Sequence, residues 1–334
     1  VTIAVSATPL DLPLVHRFTI ARSSADVERT AIVRLGWNGI DAFGESAPSA
    51  RYGETVESVI AALDARAYGN DPYAFEALLD GLAPAARCAL DVALHDCIGK
   101  DVGRPLWRLF GLDPARTPVT SFTIGIAPID EMIAKVREVG DHPTIKVKLG
   151  AGEEVETIAA IRAMYPGTIR VDANEGWTPE RAVTLLSELA RYDIEFCEQP
   201  IPAGTPERLR WIRERSTIPI VTDEDSKDAN DLPALAGCVD GINIKLVKCG
   251  GIRGALAMIH TARALGLKIM LGCMIESAIL NTAAAHLSPL VDWADLDCAF
   301  LLAHDPFDGM RFANGKIVLP DGPGLGVRER AAAA

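Results

Sequence analysis

The hydrophobic rhythm of the chain changes near Pro118. Before it, β-type runs come first, at Thr2–Ser6, Thr30–Trp37 and Ile40–Ser46, the last two joined by the turn-forming Trp37-Asn38-Gly39. Helical patterns follow at Glu54–Ala67, Pro72–Leu79 and Pro84–Ile98. In the last, Ala89 and Ala93, like Leu90 and Leu94, recur at the four-residue spacing of one helix face. Strands followed by helices predict a small α+β domain over residues 1–117.

After Pro118 the rhythm is strand, then helix, repeated. Apolar strand-like runs lie at Ser121–Ile126, Thr144–Leu149, Ile169–Asn174, Ile194–Gln199, Ile218–Glu224, Gly241–Val247, Lys268–Met274 and Trp293–Ala299. Amphipathic stretches such as Glu153–Tyr165, Pro179–Arg191 and Gly251–Leu265 separate them. A repeat of about 25 residues is that of a βα unit, and eight strands predict an α/β fold with a closed parallel barrel over 118–310. Residues 311–334 are expected to return toward the N-terminal domain. A doubly wound open sheet explains less well why so many successive strands end on polar residues. No G-x-G-x-x-G follows the first strand either.

Those strand ends carry the chemistry. The second strand reads Thr144-Ile145-Lys146-Val147-Lys148-Leu149, the third ends Val171-Asp172-Ala173-Asn174, and the fourth ends Cys197-Glu198-Gln199-Pro200. The fifth ends Thr222-Asp223-Glu224, and the sixth reads Ile242-Asn243-Ile244-Lys245-Leu246. In a parallel barrel all C-terminal strand ends meet at one mouth. Any one of Asp172, Glu198 and Asp223 alone reads as a solvated strand end or a helix cap. Three in consecutive units share a small volume, where unpaired carboxylates repel. A hard divalent cation resolves the conflict, and an all-oxygen set with open positions suits Mg²⁺ better than zinc.

Lys146 and Lys148 lie two apart on one strand and so face one way. Lys245 approaches from the sixth strand, where positions 243, 245 and 247 share a face. Lys248 is expected to lie outside that face, as a surface lysine in the turn before Gly250-Gly251. A lysine crowded by cations and partly desolvated loses pKa, which would let it act as a base near neutral pH.

Composition narrows the partners. The formal charge is -12 over 334 residues, whereas a nucleic-acid partner requires a basic face. A small molecule is the expected partner, and a homo-oligomer is left open. Seven cysteines, at 88, 97, 197, 238, 249, 273 and 298, contain no C-x-x-C pair, and an odd number does not suit a closed disulfide framework. Cys197, Cys273 and Cys298 sit in apolar runs, as reduced core thiols do, which fits a reducing cytoplasm. No apolar run reaches the roughly 18–20 residues of a bilayer span. The N-terminus lacks the basic-then-apolar pattern of a secretory signal, and because numbering opens at Val1 a removed leader is left open. The closing Ala331–Ala334 is given no role.

Taken together, Lys146-Val147-Lys148, Asp172, Glu198-Gln199-Pro200, Asp223-Glu224 and Asn243-Ile244-Lys245 resemble the enolase superfamily, in its muconate-lactonizing subgroup. The order matches, and so do the spacings of 24, 26, 25 and 22 residues from Lys148 through Asp172, Glu198 and Asp223 to Lys245. The resemblance implies a modified TIM barrel of the (β/α)₇β type with an N-terminal α+β capping domain over its mouth. Asp295-Leu296-Asp297 on the last strand is similar to the mark of the subgroup's dipeptide epimerases, among them the alanyl-glutamate epimerases. Alternation puts both aspartates on one face, where they can hold a dipeptide's ammonium group by charge-assisted hydrogen bonds. Ala50-Arg51-Tyr52-Gly53-Glu54-Thr55, Leu271-Gly272-Cys273-Met274 and Lys248-Cys249-Gly250-Gly251 extend the likeness. The loop Ile20–Ala25 matches the family's specificity loop only in part.

The resemblance implies Mg²⁺ on Asp172, Glu198 and Asp223, with Lys146 beside the substrate carboxylate to stabilise an enediolate. Lys148 and Lys245, one on each face of the α-carbon, would exchange its proton and invert it. Glu224 and Asn174 would support these groups from behind, and Arg22, Tyr52 and Glu276 would contact substrate. A muconate cycloisomerase, or an o-succinylbenzoate synthase that also racemises N-acylamino acids, would use the same site without an ammonium-binding pair. A non-catalytic binding protein on the same barrel would have no use for three intact lysines.

Overall fold

The computed structural model describes residues 1–331; the final alanines of the tail, 332–334, lie outside the described residues. Three strands open the chain: β1 (Ala4–Ile20), β2 (Ser23–Trp37) and β3 (Ile40–Ser46), antiparallel in the order β1-β2-β3. The strand expected at Thr2–Ser6 is therefore the start of a far longer one, and the loop expected at Ile20–Ala25 is a hairpin tip. Only Ala21 and Arg22 lie between the strands, and the pairing runs from Ala4↔Gly36 to Ile20↔Ser23 with one irregularity after Pro13. As an edge strand, β1 tolerates Pro9 and Pro13, which cannot donate to a ladder.

Behind this sheet pack α1 (Val56–Asp64), α2 (Phe75–Leu79), α3 (Pro84–Asp101) and α4 (Leu106–Leu109). The fit of α3 on β3 depends on Gly44, where a Cβ would stand 2.0 Å from the Ala89 carbonyl oxygen.

Eight parallel strands follow: β4 (Phe122–Ile124), β5 (Thr144–Lys148), β6 (Thr168–Asp172), β7 (Ile194–Glu198), β8 (Ile220–Thr222), β9 (Gly241–Ile244), β10 (Lys268–Gly272) and β11 (Trp293–Asp295). They are hydrogen-bonded in chain order. The first and last meet through a parallel bridge, Thr120↔Ala294. Across that seam Arg170 of β6 donates to the Ala294 carbonyl at 2.8 Å and to Ser121 Oγ at 3.0 Å. Phe196, Val221, Met270 and Trp293 form a separate buried cluster in the same strands.

The connections are α5 (Ile129–Val139), α6 (Glu154–Arg162), α7 (Pro179–Leu189), α8 (Pro206–Arg213), α9 (Leu232–Leu235), α10 (Leu246–Cys249) with α11 (Ile252–Ala264), and α12 (Ala278–Ala285). Seven helical links among eight strands make the (β/α)₇β barrel. After β11 comes a single turn, α13 (Cys298–Leu301). All eight strands end short of their expected bounds, most of all β9 at Ile244 and β11 at Asp295, because a helical turn begins within two or three residues of these two ends.

Buried acids of the N-terminal part cap barrel helices, satisfying the orphan N–H groups of their first turns. Asp91 Oδ2 accepts from Ile252 N at 2.6 Å at the start of α11. Glu45 accepts from Ser277 N and Oγ and from Leu280 N around the start of α12. The C-terminal segment also runs back onto α3, where Asp96 accepts from Leu325 N at 2.8 Å. No helix among the described residues is long and apolar enough to cross a membrane.

Candidate active site

The strand order divides the barrel mouth into two arcs. β5 and β9 lie four places apart in a ring of eight, so they face each other. β5 carries Lys146 and Lys148, and Lys245 directly follows β9. One arc between them holds Asp172 at the end of β6, Glu198 at the end of β7 and Asp223 just past β8. Lys148, Asp172 and Glu198 are successive ladder partners and emerge at one height. The opposite arc holds Cys273 after β10, Asp295 and Asp297 at and beyond the end of β11, and Thr123 of β4. Lys146, Lys148, Lys245, Asp223, Asp295, Asp297 and Thr123 line one cavity of about 210 Å³.

Each carboxylate of the first arc is paired with lysine. Lys148 Nζ donates to Asp172 Oδ2 at 2.6 Å, and Lys146 Nζ donates to Glu198 Oε2 at 3.1 Å and to Asp295. Asp223 takes two, from Lys245 at 2.8 Å on Oδ2 and from Lys248 at 2.5 Å on Oδ1. Among the described residues, no three His, Cys, Asp or Glu side chains stand close enough together to share an ion. The pairing is what buried like charges do when ammonium groups are within reach.

Two sequence expectations are corrected here. Lys248 is no surface lysine: it is buried in α10 and also donates to the carbonyls of Asp223, Ser226 and Asn243. Strand parity failed because the chain turns helical after Lys245. Lys146 and Lys245, paired with these carboxylates, have not lost pKa either. Burial works against their charge, but Asp223 and Glu198 at Lys245, and Asp295, Glu198 and Asp172 at Lys146, outweigh it and lift both above the usual range.

The donor set nevertheless fits a hard divalent cation. Its oxygens are carboxylates on neighbouring strands. Burial, then Asp172 and Asp223, push Glu198 up to about 6, with Lys146 partly offsetting them. Asp223 is held below the carboxylate range because Lys245 and Lys248 outweigh its burial. Asn243, donating to Glu198 Oε1 at 2.6 Å, fixes that carboxylate. Gly272 makes room for it: a Cβ there would stand 2.5 Å from Asn243 Oδ1.

On the second arc the aspartates do not share a strand face, because Asp297 lies beyond β11, at the residue before α13. They do share the cavity wall. Lys146 outweighs burial at Asp295 and lowers its pKa, whereas burial and then Asp295 push Asp297 up to about 6. Asp297 Oδ2 accepts from Thr123 N at 2.7 Å, while Asp295 Oδ1 has no hydrogen-bond partner.

The hairpin tip and the turn at Ala50–Tyr52 roof the cavity with Phe18, Ile20, Arg22, Arg51 and Tyr52. Arg22 donates to Glu224 Oε1 at 2.5 Å, to Glu175 Oε2 at 3.1 Å and to the Asn174 carbonyl at 3.2 Å. Arg51 grips Glu175 with two bonds of 2.8 and 3.1 Å. Asn174 and Glu175 both have left-handed backbones, at φ 43° and 69°, a strained pair of the kind that collects at functional sites. Asn174 also donates to both oxygens of Asp172. Burial, then Asp223 and Asp172, push Glu224 up to about 7 against the pull of Arg22. Burial also pushes the Tyr52 phenol up, keeping it neutral.

Glu276, expected to touch substrate, is not on the cavity lining. It is buried, accepts from Met274 N and the Asn281 amide, and is pushed up by burial and by Glu45. Gln199 was passed over as an organiser. Its Oε1 accepts from the backbone N–H of Asp223, Glu224 and Asp225, fixing the end of β8. Its presence in Glu198-Gln199-Pro200 was the one available signal.

The chain resembles known proteins over nearly its whole length. It is 40% identical over 329 residues to the L-Ala-D/L-Glu epimerase of Bacteroides thetaiotaomicron, covering 96% of this chain and 86% of that protein. The fold superposes with a TM-score of 0.93 on the substrate-liganded L-Ala-D/L-Glu epimerase from Bacillus subtilis, at 28% identity and 99% coverage of both chains. It superposes with a TM-score of 0.91 on the dipeptide epimerase from Enterococcus faecalis V583 complexed with Mg and L-Leu-L-Tyr, at 33% identity, covering 98% and 99%. Residues 129–333, which carry every lysine and carboxylate of the mouth, match the Enolase C-terminal domain-like family, and by that match and its barrel the chain belongs to the enolase superfamily.

Proposed function

We propose that the protein is a Mg²⁺-dependent dipeptide epimerase that inverts the α-carbon of the C-terminal residue. The observation that carries this reading is the ring order: two lysines face each other, carboxylates fill one arc between them and aspartates the other. A dipeptide laid across the mouth would have its carboxylate toward Asp172, Glu198 and Asp223 and its ammonium toward Asp295 and Asp297. Its C-terminal α-carbon would then lie between Lys148 and Lys245.

Mg²⁺ held by Asp172, Glu198 and Asp223 would supply positive charge beside the substrate carboxylate. Lys146, in the same cluster, donates toward the charge that develops as the α-proton leaves. One of Lys148 and Lys245 takes the proton and the other returns one to the opposite face, which inverts the centre. Asp295 and Asp297 bind the amino terminus through charge-assisted hydrogen bonds. Relatives named as dipeptide epimerases support this substrate class. The cycloisomerase and synthase readings have no use for this acidic arc.

The test is L-Ala-L-Glu incubated with the protein in D₂O, with and without Mg²⁺. Deuterium should enter the glutamyl α-position as L-Ala-D-Glu forms, only with the metal. Failure to exchange any member of a free-dipeptide panel, with turnover of a muconate or succinylbenzoate precursor, would overturn the reading.

A further inference from the structure

Two thiols stand against each other in the cavity wall with no part in the chemistry above. Cys273 follows β10 and lines the cavity; Cys298 opens α13 and is buried beside it. Their sulfurs are 3.3 Å apart, inside the roughly 3.5–4.0 Å of ordinary non-bonded packing. Cys273 Sγ also lies 3.1 Å from the Asp295 carbonyl oxygen and 4.0 Å from Asp297 Oδ1, and Cys298 Sγ donates to the Met274 carbonyl at 2.9 Å. Among the described residues this is the one hydrogen-bonded pair of thiols.

We propose that Cys273 and Cys298 are a modification site, closing into a reversible disulfide that reshapes the ammonium-binding wall. The exposures of the two residues differ, half-buried for Cys273 and buried for Cys298, which divides their roles. Cys273 is within reach of a small disulfide entering the cavity, whereas Cys298, 2% exposed, meets only its neighbour. The Cys273 thiolate attacks the small disulfide, forming a mixed disulfide and releasing one thiol. Cys298 then loses its proton and attacks the Cys273 sulfur, and the second small thiol leaves with the electron pair. The protein gives up two electrons and two protons, and one small disulfide becomes two thiols. Burial, then the neighbouring Cys273, raise the Cys298 thiol, and against the hydrogen bond from Cys298, burial and the nearby carboxylates raise Cys273 as well.

Bond formation brings the sulfurs to about 2.05 Å, a movement of about 1 Å. That movement falls on Asp297, next to Cys298 in the chain, and on the Asp295 backbone, which Cys273 touches. A shift of that size in a positioning group lowers kcat/KM by roughly ten- to a hundredfold.

The test uses the full chain and the disulfide of mercaptoethanol. The expected result is an intact mass lower by two hydrogens, one linked peptide pair containing Cys273 and Cys298, and reversal by dithiothreitol. In Cys298→Ser the reaction should stop at the mixed disulfide on Cys273. A persistent mixed disulfide in the wild-type protein, no reaction at Cys273, or a link between other cysteines would overturn the proposal. The wild-type peptide map decides this alone if the variant does not fold. Complete linkage with unchanged turnover would overturn the effect on the wall. Because linkage is read by mass, it stands or falls separately from the choice of substrate.

Discussion

The floor and the roof of the cavity are both built from ion pairs, and they behave differently because of water. On the floor, the side chains of Lys146, Asp172 and Glu198 are 3%, 1% and 0% exposed. In the roof, Arg51 and Arg22 are 43% and 34% exposed where they meet Glu175. A desolvated pair binds its members to each other, since removing one strands the other, at about 3–5 kcal/mol. A pair open to water is worth roughly 0–1 kcal/mol and is screened by salt. The floor is thus fixed in place, whereas the roof's Glu175 contacts are held weakly and its one desolvated tie is the Arg22 bond to the buried Glu224.

The largest expected effect that would break this contrast is on the floor. Asp223→Asn leaves Lys245 and Lys248 facing a neutral amide, so it should cost about 3–5 kcal/mol in urea unfolding. It should also weaken Mg²⁺ binding measured by calorimetry and lower turnover by at least about 10³-fold, within the roughly 10²–10⁴-fold that one positioned catalytic group supplies. Unchanged stability would mean that the remaining acceptors, such as the Ser226 and Asn243 carbonyls at Lys248, satisfy the lysines without the Asp223 charge.

Next is the acidic arc. Asp297→Asn should raise KM for a free dipeptide by roughly 10–100-fold, the worth of a desolvated charged hydrogen bond. It should scarcely change the already poor turnover of the N-acetylated dipeptide. Equal efficiency of the wild type on free and N-acetylated forms would remove the ammonium role.

Smallest is the roof. Glu175→Gln loosens Arg22 and Arg51 together, and should cost about 1 kcal/mol or less in stability. Its effect should be on KM rather than kcat, and adding salt to the wild type should mimic it. A loss comparable to that of Asp223→Asn would place the roof in the same desolvated class as the floor.

The floor was also the part most legible in the sequence. Apolar runs of a fixed period, five in succession ending on charged residues, are best explained by a barrel mouth, and Asp172, Glu198, Asp223, Lys146, Lys148 and Lys245 all lie at the strand ends that pattern predicts. Their states were not legible. Crowding among lysines suggests a lowered pKa, but charge pairing is decided by distances between strands, and at Lys146 and Lys245 the nearby carboxylates outweigh burial. Lys248 is buried and not exposed because strand alternation ends at Ile244 and the chain turns helical from Leu246. The roof was hardest to read. β1 alternates between exposed and half-buried or buried positions at Ala4–Thr8 and Leu10–Leu14, but two prolines break up the run, and the Ala21-Arg22 tip lacks the Asn-Gly type of signal that marks tight hairpins. Glu175 pairs with Arg51 across 124 residues, and Glu45 caps α12 across more than that. Such contacts have no local signature.

The central claim, two bases on opposite faces of one carbon, is tested most directly by α-proton exchange of separate substrate isomers in D₂O. Lys148→Ala and Lys245→Ala should each abolish epimerisation. Each should still exchange the α-proton of one isomer only, the two variants choosing opposite isomers, with Mg²⁺ binding retained in both. Normal epimerisation by Lys245→Ala, or exchange of the same isomer by both variants, would contradict the account.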